Sequence, residues 1–539
     1  MQKIFILSII FLFYIPVVYS APKYLRLSYT DDTSTTINIT WNTDADTDTV
    51  VRFGKQSKNY TQRVNGTSFK ANDALNYIHE VKLTVLEPST TYYYIAGSDT
   101  DGFSNESSFT TGPIQDENCA TFSFGYLGDN RPDPTFGGGE NWPQILDQCA
   151  AHNPDFIING GDLVIDGDKI DQWIKFLGWT EKVASRIPFM PTIGNHDDGP
   201  GSGDTANYNQ IFALPRSSGN YGSNTEDYYY FTYGNAIFIS ISTQTFRDGT
   251  IPFERQARWL DEVLTHNPRK WKFVYFHHPI YTKNVVFDIS HPPNEVNQNA
   301  ALVPVFDKHH IDIVFTSHNH WYERYEPSAC ANAGKPSSDN PCSVGANNFD
   351  KGTVYVVSGG AGAFTIPAVL CGMQAGRVKC SGDHHYIIIT IKNETLTFEA
   401  YSAYPQQNKL MDSFTITKAK NNCVLSPDAG YEDVSEDIRT DAETIDIGTI
   451  DILDTSYTDS NLSDIIFQKD EVFYEDIPDF ALYDNIAEDL EEVDTKTFDT
   501  IEKTDIITQD IIGGDILIKG DEAMGGAEES KGCGCNVLE

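Results

Sequence analysis

Five short apolar runs between residues 121 and 320 each stop at a cluster of Asp, Asn or His. Thr121–Leu127 leads into Gly128-Asp129-Asn130-Arg131, Phe156-Ile157-Ile158-Asn159 into Gly160-Gly161-Asp162, and Phe189–Ile193 into Gly194-Asn195-His196-Asp197. Phe273-Val274-Tyr275-Phe276 is followed by His277-His278-Pro279, and Ile311–Phe315 by Ser317-His318-Asn319-His320. Helix-like segments alternate with these runs, at Trp142–Ala151 and Phe253–Leu264, and a hairpin over Tyr228–Ser242 turns at Gly234-Asn235. Tyr386–Ile391, Leu396–Tyr401 and Ser413–Thr417 close the region as strands. The pattern predicts an α/β sandwich of several sheets over residues 114–418. In open α/β sheets the carboxyl ends of strands are where ligands bind, so the polar clusters mark the candidate site.

Residues 21–113 read differently. Leu25-Arg26-Leu27, Ile37-Asn38-Ile39-Thr40-Trp41 and Val50-Val51-Arg52-Phe53 alternate between Asp/Thr/Gly-rich turns, which predicts an all-β unit. Leu86-Glu87-Pro88-Ser89-Thr90-Thr91-Tyr92-Tyr93-Tyr94 is similar to the tyrosine corner of fibronectin type III modules, with Trp41 as a core ring. Ahead of it, Lys3 and the apolar run Ile4–Tyr19, broken by Pro16, read as a secretory signal over residues 1–20. That places the mature chain in a secreted or lumenal compartment, with no transmembrane segment left after signal removal. N-x-S/T triplets at Asn38, Asn59, Asn65, Asn105, Asn393 and Asn461 are expected glycan positions there. Among nine cysteines, Cys330/Cys342 and Cys371/Cys380 are the nearest candidate disulfide pairs, and the odd count leaves at least one thiol without an internal partner.

The net charge of −39 rules out a general electrostatic hold on nucleic acid. Most of it lies at one end: 33 acidic and six basic residues follow Val424. Residues 424–539, with their short Ile/Asp alternations, are expected to be a disordered or weakly structured acidic extension.

The strand-end clusters offer two carboxylates, one amide oxygen and three imidazoles, in Asp129, Asp162, Asn195, His277, His318 and His320. Such a mixture of hard oxygen and borderline nitrogen suits Zn, Mn or Fe and is too rich in nitrogen for Ca or Mg. Six ligands exceed what one zinc ion usually takes, so two metal ions bridged by a carboxylate are expected.

The order GD…GGD…GNHD…VxxH…HxH resembles the calcineurin-like metallophosphoesterases. His318-Asn319-His320-Trp321-Tyr322-Glu323-Arg324 is similar to the GHxHxYER of their purple acid phosphatase branch, and Gln256-Ala257-Arg258-Trp259-Leu260 fits the same layout. The resemblance runs from about Ala21 to Lys418 and implies a fibronectin-like β-sandwich followed by a four-layer αββα sandwich. By the same resemblance Asp129 and His320 would hold a first metal, Asp162 would bridge, and Asn195, His277 and His318 would hold a second. His196 would contact the phosphoryl group and help protonate the leaving alkoxide, and a hydroxide bridging the metals would attack phosphorus.

The chain departs from the family pattern at two positions. Where purple members carry an iron-binding tyrosine three residues after the bridging aspartate, this chain has Ile165, so the resemblance implies a divalent pair (Mn, Zn or Fe) rather than tyrosinate-bound iron(III). Arg131 stands where Gly or His usually follows the first aspartate. A guanidinium does not coordinate metal, and either a phosphate oxygen or a salt bridge to Asp129 or Asp133 would occupy it. His291 is a candidate substrate contact, and His278, next to a proposed ligand, is expected on the opposite face of its strand. Hydrolysis of a small phosphate monoester is the expected activity. The rival expectations are a phosphodiesterase or nucleotide pyrophosphatase using the same residues, and a non-catalytic secreted phosphate- or partner-binding glycoprotein.

Overall fold

The structure, a computed structural model, describes residues 20–116, 118–131, 139–201, 203–243, 252–282, 295–330, 341–405 and 408–420. Residues 1–19 of the predicted signal, His291, Asn461 and the acidic extension lie outside them. Two sheets of short strands make up the first part of the chain. One has the order Lys23–Ser28, Ile37–Thr43, Tyr77–Leu83, Thr67–Lys70; the other runs Gln62–Asn65, Val50–Gly54, Thr91–Ser98, Gly102–Phe103, with Ser107–Thr110 beside Thr91–Ser98. The tyrosine corner is present: the Glu87 N–H donates to the hydroxyl of buried Tyr92 at 3.0 Å. Trp41 is buried and stacks on His79, with ring centroids 5.2 Å apart.

The second part contains two larger sheets. The six-stranded sheet has the order Phe189–Pro191, Phe156–Asn159, Thr121–Leu127, His385–Lys392, Thr395–Ser402, Leu410–Thr417, and its first three strands are parallel. The seven-stranded sheet runs Tyr229–Tyr233, Ala236–Ser240, Trp271–Tyr275, Ile313–Thr316, Val354–Ser358, Tyr322–Tyr325, Arg377–Ser381, with the four strands from Ala236–Ser240 to Val354–Ser358 parallel. Aromatic side chains join the two: Phe124 of the first sheet meets Phe238 and Phe273 of the second at 5.0 and 5.2 Å. Helices Trp142–Ala150 and Ile170–Ala184 cover the outer face of the first sheet, where Phe176 packs on Phe189. Phe253–His266 and Ala300–His309 cover the second, through Trp259 against Tyr228 and Phe306 against Phe276. The result is four layers, αββα. Each helix buries one stripe, as Trp173, Phe176, Leu177 and Thr180 do at helical spacing.

Cys330–Cys342 and Cys371–Cys380 are disulfides, Cys119 is also disulfide-bonded, and Cys149 is a buried free thiol. Asn38 corrects one expectation. It lies buried in its strand with its amide donating to Thr40 Oγ1, so a glycan there is incompatible with the fold, whereas Asn59, Asn65 and Asn105 are exposed.

Two buried imidazoles make the fold sensitive to acid. His79 lies between the hydroxyls of Thr43 and Thr49, each at 2.7 Å, and His385 between Ser358 Oγ and the Asp383 carbonyl. Burial pushes both down to about 4. An unfolded chain takes up these protons near pH 6.5 and the folded one resists them, so stability present above pH 6.5 is lost as the pH falls toward 4. We expect each histidine to cost up to about 3 kcal/mol over that window. Denaturant unfolding across pH 4–7 measures it, and His79→Gln should flatten the pH slope by its share.

Candidate metal centre

The parallel strands of both sheets point their carboxyl ends at one place, and the five polar clusters meet there. Close loop packing is possible because glycines precede the polar residues. A Cβ on Gly194 would stand 2.2 Å from Asp162 Oδ1, and one on Gly161, whose φ is +92°, would stand 2.8 Å from the Gly194 nitrogen. Asp129, Asp162 and His318 adopt positive φ values of 57°, 57° and 65°. Non-glycine residues occupy that region at a cost, and such strain clusters at functional sites.

Six of the predicted side chains form two groups that share one carboxylate. Asp162, His277 and His318 present ligand atoms within 4.8 Å of one another, and so do Asp129, Asp162 and His320. Asp162 Oδ1 lies 3.2 Å from His277 Nε2, whose ring is in turn 3.2 Å from His318 Nδ1. Asn195 Oδ1 joins this group at 3.0 Å from His318 Nδ1. On the other side His320 Nε2 is 3.3 Å from Asp129 Oδ1.

Backbone carbonyls set the imidazole orientations. His277 Nδ1–H donates to the Gly160 carbonyl and His320 Nδ1–H to that of Phe364, both at 2.9 Å, leaving each Nε2 turned inward. His196 is held similarly, its Nδ1–H donating to the Ile165 carbonyl at 2.6 Å while Nε2 lies 3.9 Å from Asp162 Oδ2. Burial lowers the His196 pKa to about 4, against the pull of Asp162. For His277 burial also works against charge, but Asp162 and Asp129 outweigh it and raise the pKa to about 9. The Asp162 carboxyl is held well below its usual range, by His277 above all, in spite of burial.

The donor set fits metal. Asp129 Oδ1 is buried and has no hydrogen-bond partner among the described residues, and nitrogen lone pairs and carboxylates converge on both sides of Asp162.

Asp197 ties the loops together. Its Oδ2 accepts the N–H groups of Asp162 and Gly194, both at 2.8 Å, and its Oδ1 those of Leu163 at 2.7 Å and Val164 at 3.1 Å. Burial and the neighbouring Asp162 push its pKa up to about 8, with these donors pulling the other way.

Arg131 makes no ion pair with Asp129; its Nε lies 3.5 Å from Asp162 Oδ2 and its Nη2 3.5 Å from His320 Nε2, while Asp133 lies outside the described residues. One expectation needs correction. His278 does not face away from the cluster, because the strand ends at Tyr275 and strict alternation ends with it. Its ring centroid is 4.4 Å from that of His318, and its Nδ1 bonds Thr243 Oγ1 at 2.7 Å.

Residues 22–111 match the model of the purple acid phosphatase N-terminal domain, and residues 125–322 match that of the calcineurin-like phosphoesterases. The chain thus pairs a purple acid phosphatase N-terminal domain with a calcineurin-like phosphoesterase domain, the arrangement of the purple acid phosphatases it is similar to. Acid phosphatase type 7 of Mus musculus is 28% identical over 364 residues, covering 63% of this chain and 78% of the relative. Purple acid phosphatase 23 of Arabidopsis thaliana is 28% identical over 317 residues, 51% of this chain and 65% of the relative. The solved structure of purple acid phosphatase PPD1 from yellow lupin superposes with a TM-score of 0.59 at 22% identity, covering 74% of each chain, which shows a shared fold.

Proposed function

We propose that this protein hydrolyses phosphate monoesters at a dinuclear metal centre. The carrying observation is the pair of donor groups joined at Asp162. Asp129, Asp162 and His320 would hold one ion, and Asp162, Asn195, His277 and His318 the other. When bound, such a pair supplies an acidified water and positive charge for the phosphate oxygens. Ile165 offers no phenolate three residues after Asp162, so we assign divalent ions (Mn, Zn or Fe(II)) rather than tyrosinate-bound iron(III). The disulfides and the exposed N-x-S/T triplets support a secreted or lumenal location. A small phosphorylated substrate is the partner that this donor set suits.

The chain's own contribution to proton transfer falls to His196. The Ile165 carbonyl holds its Nδ1–H, so Nε2 is the atom that handles a proton near Asp162. Adding substrate phosphate brings further negative charge, which favours a protonated ring while the leaving alkoxide departs. His196→Ala should lower turnover of alkyl phosphates by about 10²–10⁴. An aryl phosphate with a good leaving group needs little protonation and should lose much less. Equal losses on both substrates would reassign His196 to binding. A panel of monoesters, diesters and nucleotide pyrophosphates on the metal-loaded protein tests the function itself: preferential turnover of diesters would overturn the monoester reading, and inactivity on every member would overturn a hydrolase.

A further inference from the structure

The two donor groups do not have equal surroundings. Among the described residues, the Arg131 guanidinium meets the shared Asp162 and, of the unshared ligand candidates, only His320. Its side chain is only 12% exposed, and the Arg131 N–H donates to the Asp162 carbonyl at 3.1 Å, which anchors the residue beside the shared ligand. The guanidinium lies 3.5 Å from an Asp162 oxygen through Nε and 3.5 Å from His320 Nε2 through Nη2. Nε is nevertheless buried with no hydrogen-bond partner among the described residues. The guanidinium is a cation set between two metal-ligand candidates, held to His320 by one long hydrogen bond while its Nε faces Asp162 without one.

A guanidinium stays charged at any relevant pH and offers no lone pair. A metal bound about 2.1 Å from both His320 Nε2 and Asp162 would lie within van der Waals reach of it. The ion and the guanidinium would then share the charge of Asp129 and Asp162 at close range, where like charges repel strongly. Without the ion, the guanidinium offsets part of that carboxylate charge.

We propose that Arg131 makes the two metal positions unequal, acting as a tethered cation that must be displaced before the ion at Asp129, Asp162 and His320 can bind. The Asp162/Asn195/His277/His318 position fills first, and the supply of a second ion sets how much of the enzyme is competent. This rests on the metal-dependent reading above and adds a control that the donor set alone does not contain.

Mn²⁺ titration of the full-length metal-free protein by calorimetry and equilibrium dialysis tests it. Wild type should bind one ion tightly and a second about 10–100-fold more weakly. Arg131→Gly should tighten the second ion by about that factor and leave the first little changed. Arg131→Gln, which keeps the reach and drops the charge, should shift it in the same direction. Two ions of equal affinity in wild type, or a second ion unaffected or weakened in both variants, overturns the proposal while leaving the dinuclear reading intact. Absence of any Mn²⁺ binding overturns both.

Discussion

Asp162→Asn should strip both metal ions from the protein at once and lower phosphomonoester turnover by about 10²–10³ or more. The substitution keeps the shape and removes only the charge. It has this reach because Asp162 is the one residue common to both donor groups, with Oδ1 toward His277 and Oδ2 toward Arg131 and His196. Single-sided substitutions give the contrast. Asp129→Asn should lose the ion next to His320 and His277→Ala the ion next to His318, each leaving the other ion bound. Elemental analysis after dialysis checks all three. If Asp162→Asn retained one full equivalent, the carboxylate would serve one side only and the shared-ligand geometry would have no chemical consequence.

Much of this site can be read from the chain because its parts are local. In three of the five clusters an apolar strand, a glycine and a polar ligand occupy seven to nine consecutive residues, and parallel strands deliver their ends to one edge whatever the remaining packing. The same holds for the tyrosine corner, where Tyr92 bonds Glu87 five residues away. Relationships between distant segments are less legible. No local signal says that His196 is oriented by the Ile165 carbonyl, or that Arg131 turns toward Asp162 and His320. Glu323 and Arg324, part of a motif that reads as functional, pair with Arg377 and Asp412 and hold strands together. Helix Ile170–Ala184 carries a buried stripe at helical spacing, but Gly178 in its interior and the lack of a side-chain cap at Lys169 weaken its signature. The strand Val354–Ser358 and the glycine after it also belong to the site edge, since a Cβ on Gly359 would stand 2.8 Å from Asp129 Oδ2.

Asp197 is the clearest case of a residue whose type is visible and whose task is not. Beside His196 it looks like another ligand, yet both its oxygens are spent on backbone N–H groups from two different loops. Asp197→Ala would leave those N–H groups buried without an acceptor. An unmet buried donor costs about 1–3 kcal/mol, so even partial relaxation should reduce stability by about 3 kcal/mol or more. Asp197→Asn keeps one accepting oxygen and turns an amide toward the other two donors, so it should fall between wild type and Ala. The effect should extend beyond stability: the same carboxylate binds the nitrogens of Asp162 and Gly194, fixing one loop that ends in the shared ligand and another that continues into Asn195 and His196. Among variants that still fold, metal affinity should therefore drop by about 10–100-fold, although Asp197 touches no metal in this assignment. Denaturant unfolding paired with metal content separates the two effects. Loss of stability with undiminished metal affinity would make Asp197 a purely structural brace, whereas loss of both would establish that the loops hold their ligands in place only while this carboxylate holds the loops.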